Sequence, residues 1–212
     1  HRIQPLMDRC QRIGVLLGQF VDLEDCLPLF ELRRVADGAA AAIMSAREPA
    51  GDRPFYRVQG FHSALVPSSE AHMAWDIGDH GFNMVLSAYV PDLIGSNIRE
   101  MLGGILAKRE MQLSDIDEWA IHPGGRAILD QVEQHLSLPP EALEISRGVL
   151  RDYGNMSSPT VMFVLKGMLE EAETDHAMTC AIAFGPGLTV ETAVFERCGV
   201  TTSVPKKLKA QL

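Results

Sequence analysis

Hydrophobic residues recur along this chain with two different spacings, which alternate from about residue 82 onward. Helical spacing, with apolar residues every three or four positions, predicts helices over Val90 to Lys108, Ala127 to Leu136, Pro139 to about Arg151 and Thr160 to Glu173. Short apolar runs predict strands over Phe82–Leu86, Trp119–Ile121, Met178–Phe184 and Leu188–Phe195. The last two strands are expected to form a hairpin. Strands alternating with helices before a final hairpin favour an α/β fold built of layers.

The first third of the chain is less regular. Apolar residues at roughly helical spacing predict a helix over Pro5 to Phe20. The small apolar residues of Ala39 to Ala46 predict a tightly packed, buried strand, and Phe55 to Val66 predicts a long one. The polar segment from Ser68 to His80 is expected to be a loop.

Composition narrows the functional classes. The chain has 212 residues, of which 46% are hydrophobic, enough for one large core or two small ones. Its net charge of −9 disfavours a general nucleic-acid binder, because phosphate contacts need Lys and Arg. No apolar run is long enough for a membrane span. The four widely spaced cysteines form no zinc motif, so we expect no metal and a reducing cytoplasm.

Three short segments at predicted strand or helix ends carry candidate chemistry. His122-Pro-Gly-Gly leaves a predicted buried strand, and its glycines permit close approach of a ligand. Asn155 lies in a loop before a predicted helix, and Gly185-Pro186-Gly187 lies between two strands. Each has a simpler explanation: a turn histidine, a helix-capping asparagine and an ordinary turn.

Taken together and in order, these segments resemble the chalcone and stilbene synthase family, the type III polyketide synthases of the thiolase fold. That family carries His-Pro-Gly-Gly, then Tyr-Gly-Asn-Met-Ser-Ser, then Gly-Phe-Gly-Pro-Gly-Leu-Thr-Val-Glu. The segment Ala36-Asp37-Gly38 with the alanines after it is similar to a strand of the family. Met73 to Ile77 and Gly81 to Ile94 are similar to its bacterial members. The resemblance covers about Val35 to Phe195 and implies a layered α-β-α fold.

The resemblance implies a Cys-His-Asn site in which His122 and Asn155 are the last two members. In the family, the cysteine takes an acyl group from coenzyme A, and malonyl-CoA is decarboxylated to the carbanion that attacks it. An imidazolium beside a thiol would keep a thiolate ready. Phe82 matches an aromatic gate, with an ordinary core Phe as the alternative. The remaining substrate-binding candidates by resemblance are Gly124, Gly125, Ala127, Gly185, Pro186 and Gly187.

The family's nucleophilic cysteine, which follows a glycine at a strand-to-helix elbow, has no counterpart here. None of Cys10, Cys26, Cys180 and Cys198 has that setting. We therefore expect this chain to be a C-terminal portion of the family fold. The sequence itself begins at His1 rather than at Met. The expected segments are a poorly matching 1–35, the end of the N-terminal half at 36–66, the C-terminal domain at 67–200 and a flexible tail at 201–212.

Three functions remain open on this evidence. The first is the C-terminal part of a synthase that condenses acyl-CoA with malonyl-CoA. It would need no further cofactor, and we expect the chain alone to be inactive. The second is a non-catalytic remnant or interaction subunit with the same fold. The third is one half of a split synthase. A homodimer or association with an N-terminal half is expected in each case, because a divided fold exposes a large apolar face.

Overall fold

A computed structural model describes residues 36–49, 53–79 and 81–200, together with the backbone of 14–17. Those four residues form strand β1 (Gly14–Leu17), so the helix predicted over Pro5 to Phe20 is wrong there. The rest of that prediction lies outside the described residues, as do Cys10, Cys26 and the tail.

The centre of the molecule is a six-stranded sheet. Its strands lie in the order β2-β1-β3-β8-β7-β6. Their bounds after β1 are β2 (Ala42–Ser45), β3 (Phe55–Leu65), β6 (Glu118–Ile121), β7 (Met178–Gly185) and β8 (Thr189–Cys198). Only β6 and β7 pair in parallel within this described sheet, and the other neighbours are antiparallel. The parallel pair matters for the site, because it brings the carboxyl ends of β6 and β7 to one edge of the sheet.

Helices cover both faces of the sheet. They are α1 (Val90–Lys108), α2 (Arg126–Leu136), α3 (Glu144–Tyr153) and α4 (Pro159–Glu170). Alternate residues of β6 supply the two cores, as the period of a strand requires. Trp119 and Ile121 pack with α1 and α2, whereas Ala120 packs with α4 and part of α3. The predicted α/β layers are therefore confirmed.

The sequence-based helix boundaries are close to those observed, with two differences. The helix expected from Pro139 to about Arg151 is divided into a 3-10 turn, Pro140–Leu143, and α3. The last helix ends at Glu170 rather than Glu173. The expected hairpin is confirmed: β7 and β8 pair antiparallel around Gly185-Pro186-Gly187.

One strand prediction and one loop prediction were wrong. The expected buried strand over Ala39 to Ala46 is the shorter β2, and Ile43 is 61% exposed. It lies at the sheet edge, where no described element covers it, so its apolar composition did not ensure burial. The expected loop from Ser68 to His80 contains strand β4 (Met73–Gly78), which pairs with β5 (Gly81–Leu86) in a separate hairpin. That strand owes its form to cross-strand pairing rather than to a buried face.

Among the described residues, no helix is both long and apolar enough to cross a membrane.

Candidate functional site at the carboxyl edge of the sheet

His122 immediately follows β6, at the edge where the parallel strands end. Its backbone N–H donates to the carbonyl of Ile182 on β7 at 2.8 Å, which continues the strand pairing one residue beyond Ile121. The residue is only 8% exposed. The sheet therefore fixes the backbone from which this imidazole projects.

Burial controls the charge of this imidazole. It lowers the pKa of His122 from 6.5 to about 4, because removal from water disfavours the charged ring. Within the described part of the chain, no hydrogen-bond partner reaches its buried Nδ1. The imidazole is thus neutral at pH 7, rather than the imidazolium expected beside a thiol.

The two glycines after Pro123 bring the backbone close to this ring. The Gly124 N–H donates to the His122 carbonyl at 2.9 Å, which turns the chain. A Cβ on Gly124 would lie 2.9 Å from Cδ1 of Ile128 and 3.7 Å from Nε2 of His122. A side chain is therefore crowded at position 124, whereas a Cβ on Gly125 would meet nothing within 4 Å.

Asn155 reaches the same turn from the loop between α3 and α4. Its Nδ2 donates to the Gly124 carbonyl at 3.1 Å, and its Oδ1 accepts from the Ser157 N–H at 2.9 Å. The structure thus brings both members of the predicted pair to Gly124, Asn155 through this bond and His122 through its ring, which would lie 3.6 Å from a Cβ on Gly124. An amide nitrogen carries two hydrogens, so the second one is not used by the Gly124 bond.

A segment from far along the chain supports the Asn155 loop. The Ala36 N–H donates to the Asn155 carbonyl at 2.6 Å. Gly154 adopts φ of 75°, the left-handed region, and a Cβ there would lie 3.3 Å from that of Ala36. The sequence placed this segment on a strand, but residues 36–41 have no regular structure. The only sign of its role was the family-like Ala36-Asp37-Gly38.

The turn Gly185-Pro186-Gly187 lies at the same edge of the sheet, beyond Ile182. Buried Ser69, which sequence analysis left in an unassigned loop, holds this turn. Its hydroxyl accepts from the Leu188 N–H at 2.7 Å and lies 3.0 Å from the Gly187 carbonyl. No sequence pattern distinguishes this serine from a surface one.

The other predicted site residues occupy more peripheral places. Phe82 is the second residue of β5, opposite Ile77 and next to the hairpin tip. Ala127 is the second residue of α2 and is exposed.

Neither described cysteine faces the His122 loop. Cys180 lies in β7 and packs with the core of α1 and α2, whereas the Asn155 loop joins the helices of the other face. Burial raises the pKa of the Cys180 thiol to about 12. Cys198 lies at the end of β8, opposite the amino end of β3. Burial, followed by nearby Glu196, raises its pKa to about 11. Both thiols are therefore protonated at pH 7 in the metal-free chain and are poor nucleophiles.

Comparison with known proteins places the fold among known structures. The chain is similar to the C-terminal type III polyketide synthase domain of Steely1, a type I/III hybrid from Dictyostelium. The two share 31% identity with a TM-score of 0.68 over 75% of this chain and 45% of that one. It is also similar to PKS-I of the brown alga Ectocarpus siliculosus, at 29% identity and a TM-score of 0.61, over 74% of this chain and 43% of that one. The chain therefore spans less than half the length of these structures.

A family model supports the same assignment independently of the two solved structures. Residues 58–199 match the model of the C-terminal domain of chalcone and stilbene synthases. The matched range contains the His122 loop, the Asn155 loop and the Gly185–Gly187 turn. The chain therefore belongs to the chalcone and stilbene synthase family and carries its C-terminal domain.

Proposed function

We propose that this chain supplies the His-Asn half of a decarboxylative condensation site. The whole reaction would join an acyl-CoA starter to malonyl-CoA, with no cofactor other than the coenzyme A thioesters. The observation that carries the proposal is the bond from Asn155 Nδ2 to the Gly124 carbonyl, which ties the amide to the turn that directly follows His122. Family membership supports polyketide synthesis as the setting.

The proposed chemistry uses His122 and Asn155 as neutral donors. Since no described acceptor meets Nδ1, we place the proton of His122 on Nε2. Nε2–H and the second Nδ2–H of Asn155 would both bind the thioester oxygen of malonyl-CoA. Loss of carbon dioxide leaves the electron pair as an enolate, whose negative oxygen these donors stabilise. Without an acyl acceptor, the enolate takes a proton from water and becomes acetyl-CoA.

The surrounding loops would then bind the substrate. We assign this role to Gly124, Gly125 and Ala127 beside the imidazole, to the Gly185-Pro186-Gly187 turn, and to Phe82 on the β5 strand. Gly124 supports the assignment best, because a Cβ there would lie 3.6 Å from Cδ2 of His122, in direct contact with the ring. The reducing cytoplasm is the proposed location, since Cys180 and Cys198 are both free thiols.

Release of labelled carbon dioxide from malonyl-CoA tests the proposal. We expect slow release by the chain, and a fall of about 10²- to 10³-fold in His122→Phe and in Asn155→Asp, because each loses one donor. His72→Phe is the matched control, because His72 contacts Tyr89 and not the site. Release that is equal in all four proteins, or no release above buffer, would overturn the proposal.

Two observations favour a second role, in which the chain is a subunit that needs a partner for acyl transfer. Its described thiols are buried, and several of its large apolar side chains are exposed. Phe61, Leu65 and Ile77 are 60%, 57% and 88% exposed, which is unusual for large apolar side chains in an isolated domain. We propose that a second copy or an N-terminal half covers them. Intact-mass measurement with labelled acyl-CoA should find no stable adduct on the chain alone, and an adduct on any of its four cysteines would refute this role.

A further inference from the structure

A second cluster of side chains that can bind metals lies at the other end of the strands from His122. It contains His176, in the loop before β7, with Glu196 and Cys198 near the end of β8. Ile182 pairs with Thr192, and Glu196 lies four residues further along β8. At about 3.3 Å per residue, the cluster is roughly 13 Å from the His122 edge. It is therefore separate from the site described above.

The three side chains of this cluster are close enough to bind one ion together. The ligand atoms of His176, Glu196 and Cys198 all lie within 4.8 Å of one another. Bond lengths of about 2.0–2.3 Å put tetrahedral zinc ligands roughly 3.5 Å apart, which small side-chain rotations would achieve. Glu196 and Cys198 are two residues apart on a strand, so both project from the same face.

The surroundings hold two of these groups in place. The Arg57 Nη1 and Gln59 Nε2 groups each donate to Oε2 of Glu196 at 2.9 Å, which leaves Oε1 facing His176 Nδ1 at 2.7 Å. The backbone N–H of His176 donates to the Arg197 carbonyl at 2.8 Å. Outer contacts of this kind orient the ligands of protein metal sites.

The donor set selects the ion. A thiolate and an imidazole favour a borderline-soft cation over calcium or magnesium, which prefer oxygen ligands alone. A single carboxylate completes a three-residue set, and the His176 side chain is 71% exposed, so water can reach a fourth position. Thiolate, imidazole, carboxylate and water form a usual coordination shell of Zn²⁺.

We propose that His176 Nδ1, a carboxylate oxygen of Glu196 and Cys198 Sγ bind one Zn²⁺ ion. Binding replaces the thiol proton, which passes to water, and the ion replaces the hydrogen bond between His176 and Glu196. It clamps the loop before β7 to the end of β8. The sequence hid this site, because an interval of 20 positions separates His176 from Glu196 and only one ligand is a cysteine.

Titration of the metal-free protein with Co²⁺, followed by competition with Zn²⁺, tests the proposal. We expect one equivalent of Co²⁺ to produce a thiolate-to-cobalt charge-transfer band that Zn²⁺ abolishes. The band should disappear in Cys198→Ser and should need at least about tenfold more Co²⁺ in His176→Gln. Gln59→Ala should weaken binding by about 10- to 100-fold, since it frees the carboxylate.

A matched variant separates Cys198 from the other thiols. The triple variant Cys10→Ser, Cys26→Ser and Cys180→Ala keeps only Cys198 and should retain the band. If Cys180→Ala impairs folding, as judged by circular dichroism, the double variant Cys10→Ser and Cys26→Ser leaves only Cys180 and Cys198, and adding Cys198→Ser to it separates these two. Persistence of the band in Cys198→Ser would overturn the proposal. Absence of any band in the wild type would also overturn the proposal, because the cluster would then be only an ion pair between His176 and Glu196.

Discussion

Buried His122 makes the stability of this chain depend on pH in a predictable direction. Its pKa falls from 6.5 to about 4 on folding, because the folded state removes the ring from water. The unfolded chain therefore binds more protons between these two values. The stabilisation is complete above pH 6.5 and is lost as the pH falls toward 4. At about 1.36 kcal/mol per pH unit, the full loss is about 3 kcal/mol, of which about 2.5 kcal/mol is lost by pH 4.5.

Urea unfolding at pH 7.5, 6.0, 5.0 and 4.5 measures this contribution. The variants His122→Gln and His122→Phe both lack the titrating group but pack differently, so their stabilities at pH 7.5 should differ. We expect each to lose about 2.5 kcal/mol less than the wild type between pH 7.5 and 4.5. The comparison cancels the carboxylates that all three proteins share. Parallel loss of stability in the wild type and both variants would show that His122 is not buried as a neutral ring.

Three further substitutions test how individual residues stabilise the fold. Ser69→Ala should lower the free energy of unfolding by about 1–3 kcal/mol, because the buried Leu188 N–H loses its acceptor, and urea unfolding measures it. Gly187→Ala should lower the melting temperature, at a cost of about 1–3 kcal/mol, because φ is 124° and the new Cβ would lie 2.9 Å from Cδ1 of Leu65. Gly103→Ala should instead stabilise the protein by about 0.5–1 kcal/mol, since the position is in the exposed interior of α1 with nothing within 4 Å. A melting temperature of Gly187→Ala equal to or above that of the wild type, or one of Gly103→Ala below it, would contradict these predictions.

Periodicity in the sequence predicts the helices of this fold well, because their burial leaves a strong pattern. The expected helix over Val90 to Lys108 matches α1 at both ends, and its apolar residues form the larger core. The strand Met73–Gly78 was missed for the opposite reason. Its Trp75 and Ile77 are exposed, so pairing with β5 rather than burial produces the strand, and no buried stripe marks it.

The candidate site was predictable only in part. The sequence indicates that His122 follows a strand and Asn155 precedes a helix, because strand and helix ends carry local signals. It does not indicate that Asn155 bonds to Gly124 in the turn after His122, since that bond joins positions 31 residues apart. Nor does it reveal the burial that makes His122 neutral, because burial depends on how the layers pack.

Because His122 is neutral, this site can donate a hydrogen bond but is a weak base toward a thiol. Donation to an enolate oxygen needs only a neutral ring, so the described residues suit decarboxylation. Transfer of a proton from a thiol with the ordinary pKa of about 8.5 to an imidazole with a pKa of about 4 costs roughly 6 kcal/mol. An ion pair at about 4 Å recovers roughly 4 kcal/mol at an effective dielectric constant of 20. A thiol brought to His122 by another segment or chain would therefore need further stabilisation of its thiolate, such as backbone N–H groups at a helix N-terminus.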